Sequence, residues 1–489
     1  MAFLIGGANS AADTGYDIDN SLRLETGSSE KLEIDGSSAT NTTNMTLSFW
    51  YKIGKLADMG FLSKFDDSSN RMHLRIMSDG SLLAYNIVAG TYHYKTTTAK
   101  LRDHSAWYHI VFAYDTTDGT AEDRCKIYLN GTRLTSFVNN SNPSSSEALE
   151  IASDTGNKIV VGASNFTGEY LSGYIADYYY IDGTTYAPSN FAETDEDSGI
   201  WKPKDAKDDL SFGSNGFFLE FKESAVGSGT ASTIGADTSG NDNHLDSINV
   251  AVTDQCTDTP TNNFCTWNPL FVNSSNVAYL PTFSEGNLKL TLQNDSATIG
   301  TIGVSKGKWY YEYKYAEDVS ANQNYPTTGF TTNSHTYTAA NNVGTATPSD
   351  SNYDGNTDYW GQKGSTVIEA EVFLGIPDAD DIIGWYLDLD NETIIAHKNG
   401  STFMASGYTS GIDWSSGLTT TNDKDGFFYP TTRNNGHGTV GDEANFGNPI
   451  SALSSAVSDA NGYGSFEYNP TIGGVNYYAI CTKNLAKYG

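Results

Sequence analysis

The sequence predicts an all-β chain built as two antiparallel β-sandwiches joined by a long, loop-rich linker. Three observations carry this. Apolar residues alternate in short runs that turn residues interrupt about every 8–12 positions, which is the pattern of a sandwich. Almost nowhere do they take the i, i+3, i+4 spacing of an amphipathic helix; Leu453 to Val457 is the one stretch that allows a helical turn. The composition agrees: 48 Gly among 489 residues supply turns, and 12% aromatics, including 31 Tyr, supply core volume although apolar residues reach only 38%.

Charge narrows the partners. Lys and Arg number 28 against 59 Asp and Glu, a formal net charge of −31. A negative field of this size argues against nucleic acid and anionic lipid. No run approaches the ~18 consecutive apolar residues of a membrane helix, so no membrane insertion is expected. The opening MAFLIGGANSAA lacks a basic start and does not read as a signal peptide. Cys125, Cys256, Cys265 and Cys481 form no CxxC pair, so neither a disulfide framework nor a zinc site is expected. Cys256 and Cys265 flank one loop and could pair if oxidised, but read as free thiols.

Residues 1–20 are small and polar, cannot form a core, and read as an N-terminal docking arm. Residues 21–222 hold the first sandwich. Its strand signals include 45–51 (MTLSFWY), 73–77 (HLRIM), 82–87 (LLAYNI), 107–115 (WYHIVFAYD), 126–130 (KIYLN), 158–162 (KIVVG), 174–181 (YIADYYYI) and 216–222 (GFFLEFK). Asn130-Gly131 supplies the two positive-φ positions of a type I′ hairpin turn. Residues 223–284 are Gly, Ser, Thr, Asn and Asp with few apolar residues, and read as a polar linker. A second sandwich is expected over 285–450, and 451–489 is a C-terminal tail with strand signals of its own.

The order of these motifs resembles known families. MTLSFWYK, WYHIVFAYD, KIYLNGTRL, VVGAS and GYIADYYYIDG resemble the LamG/concanavalin A-like jelly roll, over roughly residues 20–190. GKWYYE, the Gly329-Phe330 strand, DLDNETIIAHKNG, Phe428-Tyr429-Pro430 and Asn445-Phe446-Gly447 resemble the SPRY domain. Inserted polar loops at 322–358 and 408–425 depart from that compact pattern, so its ligand surface does not carry over. The run Thr257 to Phe264, ending in Asn268-Pro269-Leu270, resembles a linker of predicted virion proteins of marine tailed phages. The opening Gly6 to Tyr16 resembles their N-terminus.

Candidate chemistry is sparse. Glu193-Thr194-Asp195-Glu196-Asp197-Ser198 nearly spells the ExDxxE strand of concanavalin-like glucanases, but Ser198 replaces the last carboxylate and the stretch reads as a solvated acidic loop. Gly303 to Gly307 matches GxSxG and Gly436 to Gly441 matches GxGxxG. The first is followed by a strand and the second by no helix, so both read as turns. The loops 115–123, 237–246 and 350–358 could hold Ca²⁺, although none has the DxDxDG spacing; otherwise no cofactor is expected. Tyr178-Tyr179-Tyr180 and Trp309-Tyr310-Tyr311 would offer sugar-stacking faces, but alternation turns at least half of them into the core. Tyr325, Tyr337, Tyr353, Tyr359 and Trp360 lie in the inserted loops and, with Arg433 and His437, are the expected ligand-binding residues.

The expected function is a non-enzymatic virion protein of the tail fibre, spike or receptor-binding type. Residues 1–20 would dock on other virion proteins, and the distal loops would meet a host-surface glycan or protein. A homo-oligomer is expected, with a trimer as the guess. The alternatives are a purely structural capsid decoration or head fibre protein, and a carbohydrate-binding module or glucanase-like enzyme.

Overall fold

The computed structural model describes residues 15–152, 157–164, 168–274, 280–292, 296–317, 326–332, 347–348, 359–363, 366–370, 377–404, 406, 409–413, 427–434 and 440–489. They fall into two compact units, one of the described residues up to Asn262 and one of those from Asn263 onward. Nearly all regular structure is antiparallel β, as the alternation predicts.

The first unit begins with β1 (Ser21–Leu24), β2 (Lys31–Asp35), β3 (Asn44–Ile53), β4 (Met59–Asp67), β5 (Asn70–Ile76), β6 (Ser81–Val88) and β7 (Thr91–Lys100). It continues with β8 (Trp107–Asp115), β9 (Cys125–Leu129), β10 (Thr132–Arg133), β11 (Phe137–Asn140), β12 (Lys158–Val161), β13 (Ala163–Ser164), β14 (Glu169–Tyr170) and β15 (Gly173–Asp182). β16 (Ala192–Thr194), β17 (Trp201–Pro203), β18 (Phe217–Leu219), β19 (Asp246–Ile248) and β20 (Gln255–Cys256) complete it. One sheet runs β10-β9-β8-β3-β15-β1-β20, with β18 also on β15; the other runs β11-β7-β6-β5-β4-β12-β2-β19. Leu47, Phe49, Ile110 and Ile175 of the first sheet pack against Leu62, Leu74, Leu82 and Ile159 of the second. The β9–β10 turn is the expected hairpin: Asn130 and Gly131 have φ of 47° and 76°, and Leu129 pairs with Thr132.

β3 and β15 are buried along nearly their whole length, on both faces. The outward side of their sheet is covered by later parts of the same unit. Trp50, Trp107, Tyr174 and Ala176 meet Ile18, Ala192 and Cys256, while Tyr179 and Ile181 meet Phe191, Phe212 and Phe218. At least half of Tyr178-Tyr179-Tyr180 was expected in the core, and all three are buried, so no sugar-stacking face is left there. A β-bulge shifts the register between Ala176 and Tyr179, with Asp177 at φ 42°. The extra residue resets the alternation and turns Tyr178 and Tyr180 into the core. Tyr179 points outward and is stacked on Phe218, 4.0 Å between ring centres.

The stretch 223–262, expected to be linker, is also part of this unit. β19 adds to β2 and β20 to β1. The polar residues that it buries find partners. Asp258 accepts from the Lys52 ammonium at 2.7 Å and from Trp107 Nε1 at 3.1 Å. Asp254 accepts from Arg23 at 2.9 Å, and Thr261 bonds the backbone of Ile18. Tyr16, at the end of the expected arm, donates to Asp177 at 3.0 Å. Residues 1–14 of the arm lie outside the described residues.

The second unit is a separate sandwich. Its strands are β21 (Trp267–Ser274), β22 (Thr282–Ser284), β23 (Lys289–Leu292), β24 (Ser296–Gly300), β25 (Lys308–Lys314), β26 (Pro326–Thr332), β27 (Thr347–Pro348) and β28 (Tyr359–Lys363). β29 (Thr366–Ala370), β30 (Ile382–Asp388), β31 (Thr393–Lys398), β32 (Ser401–Thr402), β33 (Ile412–Asp413), β34 (Phe428–Asn434) and β35 (Val440–Asn445) follow. One sheet is ordered β21-β24-β34-β26, and the larger contains the path β22-β23-β35-β25-β30-β31-β32. Trp267, Trp309, Tyr311, Phe330, Trp385 and Phe446 share the core. Asn399 and Gly400, at φ 52° and 75°, close the β31–β32 hairpin by the same device as Asn130-Gly131.

The tail folds back on this unit. Tyr478–Ala479 pairs in parallel with β25, Phe466 packs edge-on against Tyr310 at 4.7 Å, and the helix Thr482–Tyr488 ends the chain. Hence Trp309, Tyr310 and Tyr311 are all fully buried, and no sugar-stacking face is left there. Residues 453–457 form no helical turn. All four cysteines are free thiols, each buried.

Candidate functional site

Alternation on β5, β6 and β7 of the first unit puts Arg71, His73 and Arg75 on one face with Tyr85, Tyr92 and Tyr94. Met72, Leu74 and Leu82 point the other way, into the core. The register aligns His73 with Tyr85, Tyr85 with Tyr94, and Ile87 with Tyr92. The result is a row of rings across three strands. Tyr85 lies 5.9 Å from His73, 6.0 Å from Tyr92 and 6.3 Å from Tyr94, centre to centre. The Arg71 guanidinium sits 5.7 Å over the Tyr85 ring and donates to its hydroxyl at 3.2 Å. Arg75 is held by Glu169. Tyr92 is 52% exposed, and Val138 on β11 67%.

Electrostatics set this face apart from the acidic chain around it. Burial, and then the charges of Arg75 and Arg71, push the His73 imidazole down to about 3, so it is neutral at pH 7. The local positive charge therefore comes from the Arg71 guanidinium, since that of Arg75 is paired with Glu169. Rings, hydrogen-bonding hydroxyls and fixed guanidiniums on rigid strands can stack a flat C–H surface and hydrogen-bond its polar edge.

Two arrangements look like hydrolytic chemistry and are built otherwise. Ser48 Oγ lies 2.9 Å from His109 Nε2, and Trp201 Nε1 donates to His109 Nδ1 at 3.0 Å. An indole nitrogen only donates, so the proton of this buried imidazole is on Nε2 and points at Ser48. Such a histidine cannot take the serine proton, and its position is occupied by an indole where a triad has a carboxylate. In the acidic stretch, β16 pairs with β17. Asp195 there accepts from the Ser198 backbone at 2.8 Å and from Lys202 at 2.9 Å. It caps a hairpin turn, as the solvated-loop reading expects.

In two of the calcium-candidate loops several carboxylates are taken up by backbone N–H groups. Asp115 and Asp118 accept from Thr117 and Thr120, and Asp237 accepts from Phe218, Ser239 and Asn243. Among the described residues no group of three or more His, Cys, Asp or Glu is arranged to hold a metal ion. The loop 350–358 lies outside the described residues. GxSxG leads into β25 as a turn, with no helix behind it.

Of the expected ligand-binding residues, Tyr325, Tyr337, Tyr353 and His437 lie outside the described residues. Tyr359 and Trp360 open β28, which pairs with β27 and β29. Arg433 is on β34, opposite Ala297 and Thr327. β28 and β34 belong to different sheets, so strand pairing does not bring Trp360 and Arg433 together. The Tyr85–Tyr92–Tyr94 face was not anticipated. Its signal was present as RxHxR at 71–75 and YxY at 92–94, both with period two. What the sequence could not say is which face of that sheet is covered.

Residues 26–185 match the concanavalin A-like lectin/glucanases superfamily, described as Laminin_G_3. The first unit carries a concanavalin A-like domain. Among solved structures, the chain is similar to the heptameric SAP-like pentraxin of Limulus polyphemus, with 17% identity, 35% of this chain and 80% of that chain covered, and a TM-score of 0.27. It is similar to the SPRY domain of human HERC1, with 14% identity, 36% and 96% covered, and a TM-score of 0.26. A third is the CBM40 of the Ruminococcus gnavus IT-sialidase, with 15% identity, 33% and 94% covered, and a TM-score of 0.25. No curated protein matches the chain. Among the described residues no helix is long and apolar enough to cross a membrane.

Proposed function

We propose that this is a non-enzymatic glycan-recognition protein whose first unit binds saccharide on the Tyr85–Tyr92–Tyr94 face. The observation that carries the reading is that face itself: on a concanavalin A-like domain, aromatic rings lie across three rigid strands beside the buried Arg71 and the Glu169-paired Arg75, with Tyr92 half exposed. The absence of a catalytic role is supported by the proton placement on His109 and by Asp195 being tied into its turn. Tyr92→Ala should weaken binding on a glycan array by roughly tenfold, about the worth of one stacked ring, and leave the melting temperature nearly unchanged. Retained binding in Tyr92→Ala and in Tyr94→Ala would move the site elsewhere.

The biological setting we propose is a tailed-phage particle, with the chain acting as a fibre, spike or receptor-binding component. The support is the resemblance of Gly6 to Tyr16 and of Thr257 to Leu270 to virion proteins. In that reading the docking part precedes Tyr16, which is itself engaged by Asp177, and the chain acts as a homo-oligomer, a trimer by analogy with fibres. Gold-labelled antibody should decorate particle tails. Label confined to the head would favour the decoration role, and unlabelled particles would remove the virion setting while leaving the glycan test intact.

A further inference from the structure

The second unit holds a pocket that the tyrosine face of the first unit does not explain. It lies where the outward side of β25, β30 and β35 is overlaid by residues 449–454 and 467–468, and its volume is about 310 Å³. That is at the lower end for small-molecule sites.

The overlay is tied down, so the pocket is preformed. Glu312 on β25 accepts from the Tyr310 hydroxyl at 2.9 Å, the Asn445 amide at 3.0 Å, and the backbone N–H groups of Glu467 and Tyr468 at 3.0 and 2.8 Å. Four donors saturate one carboxylate. Glu312 therefore fastens residues 467–468 to the sheet and has no capacity left for a ligand. Ser451 donates to Glu443 at 2.8 Å, and the Ser454 backbone to Glu467 at 2.8 Å, which fastens the other rim.

The remaining lining is divided. Ile382, Ile450, Leu453 and the half-buried Tyr468 ring make an apolar wall. Glu443 and Glu467 present acceptor lone pairs, and Lys314, ion-paired to Asp380 at 2.9 Å, presents the ammonium donors that this pair leaves over. A sugar ring has the matching division: a C–H face, and an edge of hydroxyls that both donate and accept. An anion would face the carboxylates of Glu312, Glu443 and Glu467. A purely apolar ligand would desolvate Lys314 and those carboxylates without replacing their water. We propose that this pocket is a second saccharide site, sized for a neutral mono- or disaccharide and independent of the first unit's face.

The test titrates the full chain with glucose, galactose, N-acetylglucosamine, maltose and lactose. Glucuronate and 1,6-diaminohexane serve as acidic and cationic comparators, and calorimetry and saturation-transfer NMR provide the readouts. At least one neutral sugar should bind saturably, with a dissociation constant on the order of 1 mM. Ala452→Trp, which fills the mouth from an exposed position, and Tyr468→Ala should each weaken it roughly tenfold or more, and Tyr92→Ala should leave it unchanged. If Tyr468→Ala melts early, the Ala452→Trp result decides. Binding that survives Ala452→Trp, saturation by the diamine alone, or no neutral sugar bound at all would overturn the proposal. Loss in Tyr92→Ala alone would assign the sugar to the first unit instead.

Discussion

Replacing Asp258 by alanine is expected to destabilise the first unit by about 3–5 kcal/mol, because it removes one member of a buried ion pair. Lys52 and Asp258 are 1% and 0% exposed and 2.7 Å apart. Removing the carboxylate leaves the Lys52 ammonium in a nearly dry site under the Tyr174 ring, 5.7 Å from its centre. It also removes the acceptor that lies 3.1 Å from the Trp107 indole N–H. The loss should be largely cooperative, since the same segment carries Asp254, whose 2.9 Å pair with Arg23 is equally buried. Chemical denaturation of the full chain would show it as an earlier transition of one unit with the other unmoved. A double-mutant cycle separates causes: Lys52→Met with Asp258→Leu should recover much of the loss, because an apolar pair removes both charges together. A loss below about 1 kcal/mol in Asp258→Ala would mean that the segment is not anchored by this pair.

Acidification is expected to stabilise the two units over different ranges. In the second unit, burial pushes Asp442 up to about 7, against the hydrogen bonds from Tyr313 and the Ala316 N–H. Burial likewise raises Glu312 to about 6, against the donors of Glu467 and Tyr468. Unfolded carboxylates titrate near about 4, so the folded unit retains protons that the unfolded chain has released. That stabilisation is fully present below about pH 4 and is lost as the pH rises through 6 and 7. At about 1.4 kcal/mol per unit of offset, Asp442 alone is worth on the order of 4 kcal/mol across that window. His397, lowered by burial, opposes it in part, because the unfolded chain takes up its proton below about 6.5.

In the first unit, burial raises Asp177 to about 8, and burial lowers His73 and His109 to about 3. Its stability should therefore rise from about pH 9 to 7, then fall below about 6.5 as the unfolded chain protonates its imidazoles. Calorimetry between about pH 5 and 9 should show the second unit still gaining where the first has begun to lose. Asp442→Asn should flatten the second unit's profile and leave the first unit's alone. Parallel profiles for both units, or no effect of Asp442→Asn, would refute the assignment.

Much of this architecture is local and therefore legible. Asn-Gly supplies two positive-φ residues in sequence, so the hairpins at 130–131 and 399–400 can be placed before any tertiary contact is known. The alternation in WYHIVFAYD gives β8 its faces, with Ile110 and Phe112 to the core. Other features depend on distant residues. The composition of 223–262 reads as linker because nothing in it announces that Lys52, Arg23 and Trp107 wait to receive its aspartates. The helix Thr482–Tyr488 has only 7 residues, too few to form without the packing that the rest of the second unit provides.

The candidate site divides the same way. Period two is enough to put Arg71, His73 and Arg75 on one side of a strand, and Tyr92 with Tyr94 on one side of the next. Whether that side meets water cannot be read from the residues, since both sheets of this unit carry aromatics on both faces. The sequence by itself determined the β class and the hairpins, because alternation and turn chemistry are set within a few residues, while the concanavalin A-like order of strands was legible only as a resemblance. Only the tertiary structure decided that the outer face of one sheet is closed by 186–262 while the outer face of the other keeps Tyr92 exposed. Coverage is a contest among distant segments for buried area and for partners to buried charges, and no short stretch of chain encodes its outcome.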